Sequence, residues 1–265
     1  MKMMNMRTKF AYTNRGESMH NPTLRVAEVL NFLSKSSSPM RLSDISRELN
    51  MPKSTLLPIL QTLVSCQYIG KDGADRYFPG LALLALGTAA RNAYGPSKFI
   101  RENLEALVAQ FQETCYYGVP EGRDVLYLEK IDSPQPLRML TGIGHRLPAY
   151  ATGLGKALLM DQKKEELENL YESSMKPLTE NTITNPEDLY NQLQEARVLG
   201  YTWEVEESTA HIRCFAVPVR QNGKIVGAVS IAIPVFRYQE ARKESIIQAL
   251  KETAAAIEIG MQFMT

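Results

Sequence analysis

Apolar positions recur at helical spacing over the first third of the chain and alternate over much of the rest, so the pattern itself divides the sequence. Leu24, Ala27, Leu30, Phe32 and Leu33 form one stripe, which predicts a first helix capped at Asn21-Pro22 and stopped by Ser36-Ser37-Ser38-Pro39. Residues 42–65, LSDISRELNMPKSTLLPILQTLVS, then read as two short helices joined by a tight turn. Ser43 fits the cap of the first, which places Ile45 and Leu49 on one face and Arg47 and Glu48 on the other. Asn50-Met51 breaks that helix and Pro52 restarts one, because a proline at a helix start lacks only an N–H that would have gone unpaired. Leu56, Leu60 and Leu63 point inward, leaving Lys53, Ser54 and Thr55 at the outer end. This is the format of a helix-turn-helix that meets duplex DNA with the first turn of its second helix. Residues 67–71 and 76–79 flank Asp72-Gly73-Ala74-Asp75 and predict a basic two-stranded hairpin, which makes the motif a winged one.

Beyond the wing, LALLALGTAARNAY predicts a helix over 81–94, and Gly95-Pro96 marks a boundary before a longer helix over 97–113. Strands at 116–119 and 125–130 flank Glu121-Gly122-Arg123-Asp124, and strands at 212–220 and 225–233 flank Gln221-Asn222-Gly223-Lys224, whose Asn-Gly pair suits a tight hairpin turn. Helices are expected over 153–161, 163–171, 186–199 and 239–263. The third of these has Asn185 as cap, Pro186 at its first position, Glu187 and Asp188 in its first turn and Gly200 as its stop. Helices on antiparallel hairpins make an α+β fold. The expected domains are a disordered tail at 1–20, a winged helix-turn-helix at 21–82, a linker helix at 83–96 and a sensor-like domain with an antiparallel sheet at 97–265.

Charge sharpens this division. Residues 1–80 carry 11 Lys and Arg against 6 Asp and Glu, net +5, whereas the remainder is net −4, so a formal total of +1 conceals a basic first part joined to an acidic second. That asymmetry is expected when one domain alone meets phosphates. No run approaches the ~20 apolar residues that cross a bilayer, and the first 21 residues lack the continuous apolar core of a signal peptide. Cys66, Cys115 and Cys214 are odd in number and widely spaced, which argues against a disulfide framework or metal cluster and for a reducing cytoplasm. No metal or cofactor is expected.

Three separated motifs carry a resemblance. They are Met51-Pro52-Lys53-Ser54-Thr55; Gly144-His145-Arg146-Leu147-Pro148 followed by Ala151-Thr152-Gly153-Leu154-Gly155-Lys156-Ala157-Leu158-Leu159; and Arg213-Cys214-Phe215-Ala216-Val217-Pro218-Val219. In this order they resemble the IclR family of bacterial transcription regulators, over nearly the whole chain after residue 20. The resemblance implies an N-terminal winged helix-turn-helix and a C-terminal GAF-like domain that binds a small organic molecule. It also implies homodimers or homotetramers on palindromic double-stranded operators. By the same resemblance the effector pocket is lined by Gly153, Leu154, Glu204, Cys214, Ser230 and Ala232. Two positions depart from the family: Ala232 replaces a frequent serine, and His211 stands where glycine is common.

The residues add their own chemistry. Thr152 fits the cap of a helix whose glycines let backbone N–H groups approach a carboxylate. The segment falls short of a phosphate-binding loop, because Ala157 stands where a hydroxyl would bind magnesium. Lys156 equally fits a surface cation. His211 is either a pocket donor to an anionic effector or a solvent-facing loop residue, Cys214 either a ligand contact or a small buried apolar group. Trp203, beside Glu204, is core or a fluorescence reporter of ligand entry. In the DNA reader, Pro58 stands about six residues into the recognition helix, where it removes a donor and favours a kink. Base contacts then come from Lys53, Ser54 and Thr55 or from altered docking, with Arg41, Lys71 and Arg76 as phosphate contacts.

Together these point to an effector-responsive regulator, a repressor, whose operator binding answers to a small carboxylate, with a sugar acid favoured by the donors and by Glu204. The competing class is a GAF-like redox enzyme with Cys214 as nucleophile and His211 or His145 as base. It lacks a nearby resolving cysteine and leaves the basic wing unexplained.

Overall fold

The computed structural model describes residues 20–36, 38–94, 98–136, 139, 141–172 and 175–262. They fall into two compact units that part after Tyr94. The expected tail, apart from His20, and the Gly95-Pro96 boundary lie outside the described residues.

The first unit runs α1 (Asn21–Lys35), β1 (Met40–Arg41), α2 (Leu42–Glu48), α3 (Lys53–Ser65), β2 (Ile69–Lys71), β3 (Arg76–Pro79) and α4 (Leu81–Tyr94). Its core joins Val29 and Leu33 of α1, Ile45 of α2, Leu56, Leu60 and Leu63 of α3, and Ile69 and Tyr77 of the wing. The leucine stripe expected of the recognition helix is thus the face that anchors it. Asn50 takes φ +50°, a left-handed conformation that asparagine tolerates, and the Ser46 hydroxyl donates to the Met51 carbonyl at 2.7 Å, so the turn between α2 and α3 is held from both sides. The expected caps shift. α1 starts after His20, whose Nδ1 lies 2.8 Å from the Thr23 hydroxyl, and α2 starts after Arg41 with Ser43 already inside its first turn. The wing has a third strand, since β1 pairs with β3 to give the order β1-β3-β2.

The second unit runs α5 (Lys98–Phe111), β4 (Thr114–Glu121), β5 (Asp124–Ile131), β6 (Arg146–Pro148), a 3-10 turn (Ala149–Ala151), α6 (Gly153–Leu158), α7 (Lys164–Leu170), α8 (Pro186–Leu199), β7 (Thr202–Val205), β8 (Ile212–Gln221), β9 (Lys224–Pro234) and α9 (Lys243–Gln262). The strands form one antiparallel sheet in the order β6-β5-β4-β9-β8-β7. One face is covered by α5 and α9, through Leu104, Phe111, Ile246, Leu250 and Ile257 against Phe215, Val229 and Ile231. The other meets α6, through Leu154, Ala157 and Leu158 against Tyr116, Val125, Ala216 and Ala228. Helices α7 and α8 close a third cluster of Leu167, Leu189, Leu193, Tyr150 and Tyr171.

α8 begins and ends as its residues dictate: the Asn185 side chain accepts from the Asp188 amide at 2.8 Å, and Gly200 takes φ +75° at the stop. Asn185→Ala should lower stability by about 1 kcal/mol in urea unfolding, the usual value of a lost cap.

Candidate functional site

The register of the sheet gathers most of the expected effector residues. Glu204 on β7 faces Cys214 on β8, which faces Ala232 on β9, and in the next row Thr202, Ala216 and Ser230 align with Tyr116 on β4. Strand alternation puts all of them on the face that meets α6. Thr152 caps α6 by accepting from the Gly155 amide at 2.8 Å, and the Thr202 hydroxyl donates to the Gly153 carbonyl at 2.7 Å, which ties the start of the helix to β7. Gly153 lies directly over Cys214, where an added Cβ would stand 3.1 Å from the cysteine Cβ. Thr152, Gly153, Leu154, Glu204, Cys214, Ser230 and Ala232 therefore come together in one cluster between α6 and the sheet, beside the small residues Ala216, Ala228 and Gly118.

Gly155 has a packing role. A Cβ there would fall 2.3 Å from the Ala149 Cα and 2.4 Å from its carbonyl oxygen, so α6 presses onto the preceding turn as only glycine allows. Gly155→Ala should cost about 1–3 kcal/mol of stability, the range of an overpacked core, read as a lower melting midpoint.

Charge sits unexpectedly deep. Glu204 is fully buried; its oxygens accept from the Glu207 amide at 2.8 Å and from the Ser208 hydroxyl at 3.1 Å. Burial pushes its carboxyl up to about 7, against the lowering effect of the Glu207 amide, the Cys214 thiol and the Lys156 charge. Lys156, for which a surface position was one reading, is fully buried, and its Nζ lies 2.5 Å from Glu207 Oε1. Burial lowers the lysine and raises Glu207, while each carries the other part of the way back. The sequence reading missed Glu207, and with it Tyr116 and Tyr127, whose rings meet edge-on at 5.1 Å in the same wall. Polar Glu207, three positions after Glu204, was the available signal; the tyrosines looked like ordinary strand core.

His211, one of the expected members, and Trp203, read as core or as a reporter of ligand entry, lie elsewhere. His211 has an 85 % exposed side chain, 3.5 Å from Glu206, and φ +65°, so the solvent-facing loop reading holds. The left-handed backbone also explains why glycine suits that position. His211→Gly should raise stability by about 1 kcal/mol, read from urea midpoints, and leave ligand responses unchanged. Trp203 faces away from Glu204: it lines a cleft of about 390 Å³ on the other side of the sheet with Tyr201, Phe215, Arg213 and Tyr238. Burial and Glu204 raise the Cys214 thiol well above its usual value, the opposite of what a nucleophile needs.

In the first unit, Lys53 and Ser54 are exposed at the start of α3 and Thr55 is half-buried. The helix runs unbroken through Pro58, which is exposed, and the Pro58 carbonyl accepts from the Thr62 hydroxyl at 2.9 Å. Arg41 and Arg76 are register partners on β1 and β3, two exposed cations side by side. Like charges paired across strands repel, and an anion relieves them. Arg76 is steadied by Asp72 at 2.8 Å and Lys71 by Asp75 at 2.7 Å, so both wing cations are oriented.

Among the described residues no helix is long and apolar enough to cross a membrane, and no group of three or more His, Cys, Asp or Glu side chains could hold a metal ion. The family profile described as IclR helix-turn-helix domain matches residues 23–73, and the one described as Bacterial transcriptional regulator IclR C-terminal matches residues 97–259. The HTH-type transcriptional regulator KdgR of Escherichia coli K12 is 32% identical over 225 residues, 84% of this chain and 86% of that protein. The HTH-type transcriptional repressor AllR of the same strain is 28% identical, over 88% and 87%. The crystal structure of the Thermotoga maritima IclR superposes with a TM-score of 0.72 at 28% identity, covering 91% of this chain and 99% of that one. A matched DNA reader followed by a matched C-terminal domain, with a relative above 30% identity across most of both, means that the chain belongs to the IclR family of bacterial transcriptional regulators and is a DNA-binding regulator rather than an enzyme.

Proposed function

We propose that this regulator is a cytoplasmic repressor whose hold on its operator is modulated by a small organic acid, a sugar acid in preference, bound between α6 and the sheet. The observation that carries the reading is Glu204: a fully buried carboxyl, held near 7, set among small residues on a face that packing alone would have filled with aliphatic side chains. A carboxyl of this kind can accept from, or donate to, a hydroxyl group, which favours a hydroxylated ligand over a purely apolar one. AllR is named a repressor, which supports that sign of regulation here.

On the DNA side, Lys53, Ser54 and Thr55 read the major groove while Arg41, Lys71 and Arg76 hold phosphates. The unbroken α3 supports docking by this first turn despite Pro58. A homodimer or homotetramer presents two recognition helices to the half-sites of a palindrome, and effector binding favours an arrangement with a different spacing, with α4 as the connecting lever.

Gel retardation on DNA flanking the protein's own gene, at two salt concentrations and with candidate acids, tests this. Retardation should be salt-sensitive and altered by an acid. Lys53→Ala should weaken binding by about tenfold with an unchanged circular dichroism spectrum, and Ser230→Ala should change the acid response more than the basal affinity. Unaltered affinity in Lys53→Ala contradicts the assigned DNA face.

A further inference from the structure

We propose that Lys156 and Glu207 form a second polar subsite of the effector pocket, one that takes a hydroxyl group, so that the effector is a hydroxy acid and not a simple carboxylate. This rests on the effector reading above and specifies what that ligand must carry. The buried pair ties α6 to the segment after β7. The same helix is otherwise held by Leu154, Ala157, Leu158 and the Thr152 cap.

The pair is incompletely satisfied. Glu207 is 6% exposed, and among the described residues its Oε2 is buried without a hydrogen-bond partner, as is Gln192 Oε1. The Ile183 amide and the Gln192 side chain approach the carboxylate without closing a bond on Oε2. Lys156 Nζ makes one hydrogen bond among the described residues, to Glu207 Oε1, although an ammonium has three donors. The backbone beneath the carboxylate is held in place. The Glu207 carbonyl accepts from the Thr182 hydroxyl at 2.7 Å and the Thr179 hydroxyl at 3.2 Å, and its amide donates to Glu204, so the residue is pinned on both sides. A buried acceptor left open costs stability, and native structures rarely keep one without a use.

The open atoms are a donor and an acceptor side by side. A hydroxyl satisfies both, accepting from Lys156 and donating to Glu207, whereas a carboxylate would be repelled by Glu207 and a methylene would leave both unmet. The subsite also adjoins the rest of the pocket: Lys156 is near enough to feel the charge of Glu204 and Cys214, and the Glu207 amide is itself a ligand of Glu204. One molecule can reach both groups.

The test is calorimetry on the full chain with matched acids, D-gluconate against hexanoate and D-glycerate against propionate. In the wild type the hydroxylated member of a pair should bind at least about tenfold tighter, because a site built to bond a hydroxyl rejects the analogue lacking it. The double variant Lys156→Met with Glu207→Leu removes both charges together, and such replacements are tolerated. Once thermal melting shows it folded, its preference should fall to about threefold or less, with Glu207→Gln in between. An unchanged preference in the folded double variant makes the pair purely structural and overturns the proposal. Equal binding of hydroxylated and plain acids in the wild type overturns it as well, but leaves the acid effector standing. If no acid of either kind binds, the effector reading fails and the subsite fails with it.

Discussion

Lys156→Met is expected to lower unfolding free energy by about 3–5 kcal/mol, the range found when one partner of a buried ion pair is removed. Methionine nearly matches lysine in length, so little cavity opens and the effect is electrostatic. Lys156 is the cation buried beside Glu207, and Glu204 feels it too. Without it, two buried carboxyls face each other with backbone and hydroxyl donors as their remaining support, and Glu207 must either stay charged in an apolar setting or take up a proton. Against a total stability of about 5–15 kcal/mol the loss is large. Urea unfolding at neutral pH measures it, and adding Glu207→Leu to the same chain should recover most of what was lost. An unchanged urea midpoint in the single variant would mean that the lysine is not charged where it lies. The double variant separates the two roles of the pair, since stability returns there while discrimination among acids does not.

The fold was legible wherever periodicity and end signals agreed. Both long hairpins, the recognition helix and α8 appear where their residues place them, because Asn222-Gly223 can hardly be anything but a turn and Asn185-Pro186 with Gly200 brackets a helix from both ends. The short edge elements escaped. β6 has three residues and ends in proline, β7 has four and includes Glu204, and β1 has two, so none offers enough alternation to register. Their existence is set by a partner strand distant in sequence: β1 exists because Met40 and Arg41 meet Tyr77 and Arg76. Caps were displaced by one or two residues for a related reason, since either of two adjacent polar residues can end a helix and tertiary contacts choose.

The proximity of most of the expected effector residues was legible, their burial much less so. Glu204, Cys214, Ser230 and Ala232 came from a resemblance, and register pairing sets them side by side on one face of the sheet. The meaning of Lys156 was hidden, because lysine in a short helix after Gly-x-Gly is a solvent residue by every local rule. Its burial depends on Glu207, 51 residues away. His211 and Trp203 show the opposite failure. Each adjoins pocket residues in sequence, but one sits in a left-handed turn and the other on the alternate face of its strand, so adjacency along the chain separates them in space.

Stability should fall by about 3 kcal/mol between pH 5 and pH 8, and Glu204→Gln should remove most of that fall. The Glu204 carboxyl stands near 7 in the folded chain, against 4.5 when free, and the cause is burial first. Below pH 4.5 both states hold the proton and the group contributes no slope. Between 4.5 and 7 the unfolded chain gives it up while the folded chain keeps it, so stability drops with rising pH by up to about 1.4 kcal/mol per unit. Above 7 both are ionised and the loss levels off. Glu207 is raised as well and acts in the same direction. Glutamine can keep both contacts only by turning its oxygen to the Glu207 amide and donating its NH2 to the Ser208 hydroxyl, so any loss from a weakened bond, about 1 kcal/mol, is the same at every pH. The quantity to compare is therefore the slope of urea midpoints against pH, which should flatten in the variant. Equal slopes in the two proteins would place the proton on another group. On the proposed reading, in which an acidic effector binds beside Glu204 and favours its protonated form, that effector should bind more tightly as pH falls through 7.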